Sequence, residues 1–319
     1  MKTLKAIFLS VLLLVGLSAC SNNSSTEVSA QPVDTLMMSQ DSVNAQLAKI
    51  MNAYVLNLRQ QLLTDTSVLT TIAETQTVIQ DIEKKEPKQA RNELQTLIGK
   101  LEVLLTKNPN AALVPVDVRY RKVETINNID SVKALTKRID EAVEHGYYQA
   151  AKIMLSGLTS EMIISTVYIP VIGYLNALKS AAVLMDENKI PQAMVLMQQA
   201  LSTVVVTNIS IPLPVLRAQI FIAQAAKLDK AGHQNAKVVM NLLENAKYQL
   251  KLAEAMGYGK RDKEYKQLYK AIKELEKSVK NKQNSQPKFE ALKKELESFK
   301  NRLFPVVKKS PTTHMANKK

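Results

Sequence analysis

The chain has 319 residues, of which 46% are hydrophobic and 23% charged, with only 8 glycines and no tryptophan. This length allows two domains, or one domain with helical extensions. The formal net charge is +14 at pH 7. Cys20 is the only cysteine, so a disulfide within the chain is excluded. Alanine, leucine, lysine and glutamine are frequent, and this composition favours helix along most of the chain.

Residues 1–19 have the pattern of a lipoprotein signal peptide. Two lysines form a basic start, and the apolar run after them is too short to span a membrane. Leu-Ser-Ala-Cys at 17–20 resembles the bacterial lipobox, in which the cysteine thiol receives a diacylglycerol thioether before cleavage ahead of it. We therefore predict lipidation of Cys20 in the cell envelope; the alternative is ordinary secretion with an incidental cysteine. By the same resemblance, Ser21 favours the outer membrane, facing the periplasm.

The next two segments are a tether and a group of helices. Residues 20–38 are mostly small and polar, and we predict a flexible tether there. Residues 39–112 carry three apolar stripes at helical spacing and are predicted to form an N-terminal helical bundle segment. The stripes are Val43, Leu47, Ile50, Met51, Tyr54, Leu58 and Leu62; then Leu69, Ile72, Ile79 and Ile82; then Leu94, Leu97, Leu101 and Leu104.

A short extended segment is predicted at 114–118, because a residue before proline disfavours helix. Asp130 is the predicted N-cap of the following helix. The inward face of that helix is predicted from its apolar spacing to consist of Val132, Leu135, Ile139 and Val143. The segment from Tyr148 is interpreted as the second helix of a hairpin.

Residues 113–260 contain two similar helix–strand–helix units, 42 positions apart. Met162–Gly173 and Val204–Leu216 each join a β-branched run to an Ile-Pro pair, which predicts a short buried strand followed by the start of a helix. Flanking residues match at the same offset, as Ala151 does with Ala193. A period of about 40 residues is typical of stacked repeats. The alternative is that Ile-Pro after a β-branched run is simply a common helix start.

The C-terminal part is predicted to be helical and basic. A long helix near Asn235–Met256 ends at Gly257, which can adopt a left-handed cap. Residues 261–305 are predicted to form two basic helices that break at 281–287, and residues 306–319 a disordered tail. Residues 251–319 hold 19 basic and 8 acidic side chains. Export argues against nucleic acid as a partner, so this charge indicates either a solvated helical face or a contact with anionic lipid or polymer.

Four ordered motifs lie between residues 114 and 259. They are Val-Pro-Val-Asp-Val at 114–118, Val-Val-Thr at 205–207, Ile-Pro-Leu-Pro-Val-Leu-Arg-Ala at 211–218 and Leu-Ala-Glu-Ala-Met-Gly-Tyr-Gly at 252–259, with Tyr265, Leu268 and Tyr269 beyond them. Together they resemble the YfdX family of bacterial envelope stress proteins, over roughly residues 113–280. The resemblance implies a mostly helical periplasmic protein that forms homo-oligomers and has a chaperone-like role. It implies no catalytic residue and no cofactor.

A direct search for chemistry gives no catalytic or metal-binding pattern. His145, His233 and His314 are far apart in sequence, and the chain has no glycine-rich phosphate loop, Gly-x-Ser-x-Gly elbow or His-Glu-x-x-His motif. Gly-Tyr-Gly at 257–259 favours a helix cap over a cofactor turn. Asp-Val-Arg-Tyr at 117–120 forms either the lining of a ligand cleft or a structural salt bridge. Most methionines fall at core spacing, although methionine also occurs on promiscuous binding surfaces.

The sequence therefore predicts a mainly α fold, with a helical bundle and helical repeat core, two short β-strands and a C-terminal helical hairpin. The predicted function is non-catalytic: a lipid-anchored stress-response protein of the cell envelope that binds unfolding proteins or other ligands. One alternative is a structural adaptor whose basic C-terminal helices bind anionic envelope polymer or membrane. Another is an enzyme of unrecognised type. We expect a homo-oligomer with no cofactor, attached to the membrane through lipid on Cys20.

Overall fold

The computed structural model describes residues 38–63, 67–107, 112–230, 232–259 and 263–303. These residues contain eleven α-helices and one three-stranded sheet, so the fold is mainly α as predicted, with three strands instead of two. The helices are α1 Gln40–Leu62, α2 Ser67–Glu83, α3 Pro87–Lys107, α4 Ile129–Glu144, α5 Tyr148–Ser156, α6 Val171–Asp186, α7 Ile190–Ser202, α8 Leu213–Lys230, α9 Ala236–Ala255, α10 Lys263–Lys280 and α11 Gln286–Leu303. The strands are β1 Leu113–Glu124, β2 Ser160–Pro170 and β3 Val205–Pro212.

The sheet has the order β1-β2-β3, with both neighbouring pairs antiparallel. β1 extends well beyond the predicted segment at 114–118. Its second half alternates charged residues with half-buried ones, and only Val118 is fully buried, which hides the strand from a search for apolar runs. A register shift lies between Pro115 and Asp117, at the position where proline cannot donate a ladder hydrogen bond.

The two similar units are arranged differently from the prediction. Their strands pair antiparallel, so that Thr166 faces Thr207 and Ser165 faces Asn208. The Ser165 hydroxyl donates a hydrogen bond of 2.7 Å to Asn208 Oδ1. Because Ser165 and Thr207 are equivalent at the 42-residue offset, the strands are related by a local two-fold rotation at this point. A stacked repeat would relate them by translation, so the stacked arrangement was wrong.

The buried side chains form two main clusters. The first core combines α1, α8, α9, α10 and α11 with residues from all three strands, and the second combines α2, α3, α6 and α7. Strand β2 contributes Met162 and Ile164 to the first core and Ile169 to the second. The N-terminal helices therefore do not form the single bundle that was predicted, because α1 packs on β1 and α8 while α2 and α3 pack on α6 and α7.

Helix α2 presents a buried face that the apolar pattern did not indicate. Thr71 and Thr75 are buried beside Val68 and Val78, and the Thr75 hydroxyl lies 2.6 Å from the Tyr174 hydroxyl of α6. Burial raises the pKa of Tyr174 to about 12, although the hydrogen bond with Thr75 opposes this change. A search for large apolar residues misses threonines whose hydroxyls are satisfied within the core.

Strand β3 is only half buried, in contrast to the prediction. Val205 and Val206 are 38% and 44% exposed, whereas Ile211 is 3% exposed. β3 is an edge strand with a pairing partner on one side only, so its first half lacks the cover that the central strand receives. The predicted core position at Val206 was therefore wrong, and Ile211 is the buried residue of this strand.

The helix ends show one confirmed cap and one correction. Gly257 follows α9 with a φ of +88°, and the Tyr258 N–H donates to the Ala253 carbonyl at 3.1 Å, which confirms the left-handed cap. The N-cap of α4 is Asn128, whose side chain accepts a hydrogen bond of 2.8 Å from the Ser131 N–H. The predicted cap, Asp130, lies in the first turn instead, because Asn128 offers an equally good cap two positions earlier.

Candidate functional site

The proposed lipid attachment site, Cys20, lies outside the described residues. The same is true of the signal peptide at 1–19, almost all of the tether at 20–38 and the tail at 306–319. Lipidation of Cys20 therefore stays a prediction. In the part of the chain that the structure describes, no helix is both long and apolar enough to cross a membrane.

The Asp-Val-Arg-Tyr segment at 117–120 lies within β1 and contacts α1 through its side chains. Asp117 lies 3.4 Å from the Arg59 guanidinium, and the Tyr120 hydroxyl donates to Asn52 Oδ1 at 2.9 Å. The structural salt bridge is thus present, with Arg59 of α1 as its cation in place of Arg119. Both side chains of the pair are more than 40% exposed, so the pair contributes no more than about 1 kcal/mol.

The histidines do not come together. His145 is exposed, with Nδ1 2.7 Å from the Glu141 carbonyl oxygen and its ring stacked on Tyr147. The side chain of His233 and the whole of His314 lie outside the described residues. Among the residues described, no group of three or more histidine, cysteine, aspartate or glutamate side chains is placed to hold a metal ion.

A buried ion pair lies at one end of the sheet. Arg217 of α8 is 3% exposed, and its Nη1 and Nη2 donate to the two carboxylate oxygens of Glu124 at 2.5 and 3.0 Å. Burial favours the neutral carboxyl, but the hydrogen bonds and charge of Arg217, with help from Lys122, outweigh it and lower the pKa of Glu124. Arg217 Nε is buried without a hydrogen-bond partner among the described residues.

Tyr258 extends this polar group from the cap of α9. Its hydroxyl donates to the Glu161 carboxylate at 3.0 Å and accepts from the Ser160 N–H at 3.1 Å. Burial, reinforced by Glu161, raises the pKa of Tyr258 above its usual range. Ser160 faces Glu124 in the sheet, so these contacts occur where β2 begins. We call the five residues, Glu124, Ser160, Glu161, Arg217 and Tyr258, the sheet-end cluster.

The sheet-end cluster joins the ends of β1 and β2 to α8 and to the cap of α9. Its two charged partners bind each other, and its tyrosine links the cap of α9 to the start of β2. The cluster gathers the end of β1 with parts of the motifs at 211–218 and 252–259. Sequence reasoning missed it because Glu124 and Arg217 are 93 positions apart, and no local pattern relates them.

A shallow cleft of about 380 Å³ lies between α2 and α3. It is lined by Glu74, Thr77, Val78, Asn92, Glu93, Thr96 and Lys100. Lys100 pairs with Glu74 at 2.5 Å, and Glu93 accepts a hydrogen bond from Gln89 at 3.0 Å. The volume suits a small ligand, but the charged groups of the cleft already bind each other or a neighbour, so the cleft alone does not indicate a ligand class.

The α4–α5 hairpin exposes large apolar side chains between residues 143 and 155. We call this set the apolar hairpin surface: Val143 is 46% exposed, Tyr147 66%, Tyr148 65%, Ile153 72% and Leu155 54%. The hairpin buries a separate small cluster around Ile139, Ala142 and Ala151. Isolated exposed apolar residues are ordinary, but five in one short stretch indicate an interaction surface. Val143 was predicted to point inward, and that prediction was wrong.

Part of the chain is similar to a known protein family. The YfdX family model matches residues 71–210, from α2 into β3. Residues 71–210 are therefore similar to a YfdX domain, and we call them the YfdX-like segment. This match begins earlier and ends earlier than the resemblance at roughly 113–280, so the motifs at 211–218 and 252–259 lie beyond it. A search of curated proteins gives no match.

Among solved structures, the chain is similar to a crystal structure of YfdX from Salmonella Typhi. The match has a TM-score of 0.30 and 15% identity, and covers 46% of this chain and 91% of the other. A TM-score this low supports no conclusion about the arrangement of the helices.

The YfdX-like segment contains the whole apolar hairpin surface. It also contains three members of the sheet-end cluster, Glu124, Ser160 and Glu161, whereas Arg217 and Tyr258 follow it in the chain. The sheet-end cluster therefore links the YfdX-like segment to the helices after it. The hairpin is exposed and available for binding, which makes it the candidate functional surface.

Proposed function

We propose that this protein is a non-catalytic stress-response factor of the bacterial cell envelope that binds non-native proteins. Its apolar hairpin surface would contact apolar segments that a damaged client exposes. The observation that carries the proposal is the exposure of five large apolar side chains on α4, α5 and the turn between them. Each Å² of apolar surface that such contacts remove from water stabilises the complex by about 25 cal/mol. These contacts require no particular sequence in the client. That property suits a protein with many clients.

The proposed mechanism is reversible shielding. Two adjacent tyrosines lie where the turn meets α5. A tyrosine side chain combines a large apolar ring with a hydroxyl that can remain hydrated. Ile153 and Leu155 add aliphatic surface on α5. Clients that refold bury their apolar segments and release the surface. This mechanism requires no covalent step. In the sheet-end cluster, Glu124 pairs with Arg217 and Glu161 accepts a hydrogen bond from Tyr258.

Suppression of client aggregation tests this proposal. The chain from residue 21 onward is expected to reduce light scattering by a heated client protein, and to do so equally from about 0.05 to 0.5 M salt, since apolar attraction is not screened. The double variant Ile153→Ser, Leu155→Ser is expected to lose most of this effect. The matched control is Val103→Ser, Val183→Ser, which removes side chains of similar exposure, 54% and 56%, from α3 and α6.

The opposite pattern of results would overturn client binding. Suppression that is unchanged in the α5 variant, or lost equally in the control, would mean that the apolar hairpin surface is not responsible. Deletion of residues 286–319 is unsuitable as a test of the basic region, because it removes α11 and its fully buried Phe289 and Phe299. Charge reversal on the surface of α10 serves instead.

A second candidate function is adhesion to anionic polymer or membrane, and a row of lysines favours it. Six exposed lysines of α10 recur every three or four residues along one face: Lys263, Lys266, Lys270, Lys273, Lys277 and Lys280. Binding through this face would be screened by salt. If the chain suppresses no aggregation but binds anionic vesicles at low salt, and Lys266→Glu with Lys273→Glu abolishes that binding, the adaptor function replaces client binding.

Membrane attachment through Cys20 is a separate part of the proposal. Cys20→Ser is expected to move the protein from the membrane fraction to the soluble fraction, or to block its maturation, because the thioether requires this thiol. Cell fractionation measures the change, and mass spectrometry of the wild type is expected to find lipid on residue 20. An unmodified Cys20, or a mature N-terminus elsewhere, would contradict the anchor while leaving client binding untouched.

A further inference from the structure

A long uncharged stretch surrounds β3. Residues 190–216 contain no charged side chain, in a chain that is 23% charged. Part of this stretch is at the surface: residues 202–206 are all exposed, and they include Val204, Val205 and Val206. A neutral run of exposed β-branched residues at the edge of a sheet is unusual, because such an edge can pair with a strand of another chain.

The two edges of the sheet differ in their protection. β1 carries Pro115, a register shift and a run of charged residues from Asp117 to Glu124, and α1 packs on it. Proline, bulges, charges and covering helices are the devices that stop an edge strand from pairing with another chain. β3 has an uninterrupted register with β2, no charge, and no proline before Pro212. The described elements that pack extensively on β3 are β2 and α8, and no other described strand pairs with the outer edge of its first half.

We propose that β3 pairs with β3 of a second copy of this chain. The two strands would run antiparallel about a two-fold axis and join the sheets into one of six strands, in the order β1-β2-β3-β3-β2-β1. Antiparallel self-pairing is the arrangement in which one surface meets itself. The similar segments β2 and β3 already pair antiparallel within one chain, with Thr166 opposite Thr207.

The distribution of charge favours a second copy of this chain as the partner of β3. Two chains of formal charge +14 repel each other over most of their surfaces, and an uncharged strip is where they can approach closely. An anionic partner would be drawn to the lysines of α10 instead of this neutral edge. The pairing would also stop at two copies, because the protected β1 edge cannot accept a further strand.

Measurement of the oligomer mass tests whether β3 forms the dimer interface. The chain from residue 21 onward keeps all described residues, which belong to one compact unit from Leu36 to Lys319. Sedimentation equilibrium is expected to give a dimer, and Val204→Lys with Val206→Lys is expected to raise its dissociation constant at least tenfold, or about 1.4 kcal/mol. The matched control Val103→Lys, Val183→Lys places the same charges on valines that are somewhat more exposed, and it is expected to leave the dimer intact.

Disulfide trapping tests the strand pairing itself. The chain from residue 21 onward has no cysteine, so single cysteines can be placed at Val205, Val206, Thr207 or Asn208. Opposed residues of antiparallel strands have Cα atoms about 4.5 to 5.5 Å apart, which a disulfide can bridge. At least one position is expected to give a covalent dimer on mild oxidation, and Val103→Cys is expected to give none.

Two outcomes would overturn the proposal. One is a wild type that stays monomeric at about 100 μM, well above the micromolar dissociation constants of modest interfaces. The other is a dimer that the paired lysines do not weaken and that no β3 cysteine traps, which would assign association to another surface. Client binding is judged separately, because Ile153→Ser with Leu155→Ser is expected to leave the dimer unchanged.

Discussion

Arg217→Met is expected to lower the free energy of unfolding by about 3–5 kcal/mol, because it leaves the Glu124 carboxylate largely buried without its partner. Urea unfolding followed by circular dichroism measures the loss. The matched control is Arg91→Met, which breaks a pair with Asp186 of similar geometry, at 2.7 Å for both contacts, on the surface of the protein. That change is expected to cost about 1 kcal/mol or less.

A double variant separates the burial of charge from the loss of packing. Glu124→Gln with Arg217→Met removes both charges, so it is expected to recover much of the stability that Arg217→Met loses. If Arg217→Met and Arg91→Met have equally small effects, the buried pair does not hold the end of the sheet. If the double variant is no better than Arg217→Met alone, packing and not charge explains the loss.

The same ion pair predicts how stability depends on acid. The pKa of Glu124 is lower in the folded protein than in the unfolded chain, so its contribution is complete above the unfolded value of about 4.3. The contribution is lost as the pH falls through the lower, folded pKa, because the unfolded state then binds the proton more readily. The difference in stability between wild type and Arg217→Met is therefore expected to shrink below about pH 4. A difference that stays constant to lower pH would contradict this assignment.

Phe299→Ala is expected to destabilise the protein by about 3–5 kcal/mol. Phe299 of α11 is fully buried, and its ring meets Tyr265 edge to face with the centroids 4.8 Å apart. Removing the ring loses apolar burial and leaves a cavity in the first core. The midpoint of urea unfolding measures the effect.

The control for this substitution is Lys294→Ala, which changes an exposed residue of the same helix. It is expected to alter stability by no more than about 0.5 kcal/mol. Similar small effects from both variants would mean that α11 is dispensable for folding. The buried aromatic residues of α10 and α11 argue against that outcome.

Local signals in the sequence identified most helices and several of their ends. The spacing of Leu94, Leu97 and Leu101 marked the buried face of α3, and Gly257 marked the end of α9. These features depend on residues within a few positions of one another. The periodicity of an amphipathic helix is therefore readable without knowledge of its partner.

Long-range features were not readable in the same way. Val206 belongs to a β-branched run, but its exposure depends on β3 being an edge strand. The partner of Glu124 is 93 positions away, and the partner of Asp117 is Arg59 instead of its neighbour Arg119. The residues of the apolar hairpin surface are apolar in the sequence, yet only the structure shows that they stay exposed among the described elements. Pairing and exposure are properties of the assembled fold, and one sequence does not contain them explicitly.

The central strand β2 has a consequence for how the molecule loses its structure. Met162 and Ile164 lie in the first core and Ile169 in the second, on a strand only eleven residues long. If either core unfolds, it exposes the side chains of β2 that it had buried. Because the other core packs on the same strand, it loses part of its support as well. We therefore expect the two groups of helices to unfold in a single cooperative transition, although each has its own set of buried contacts.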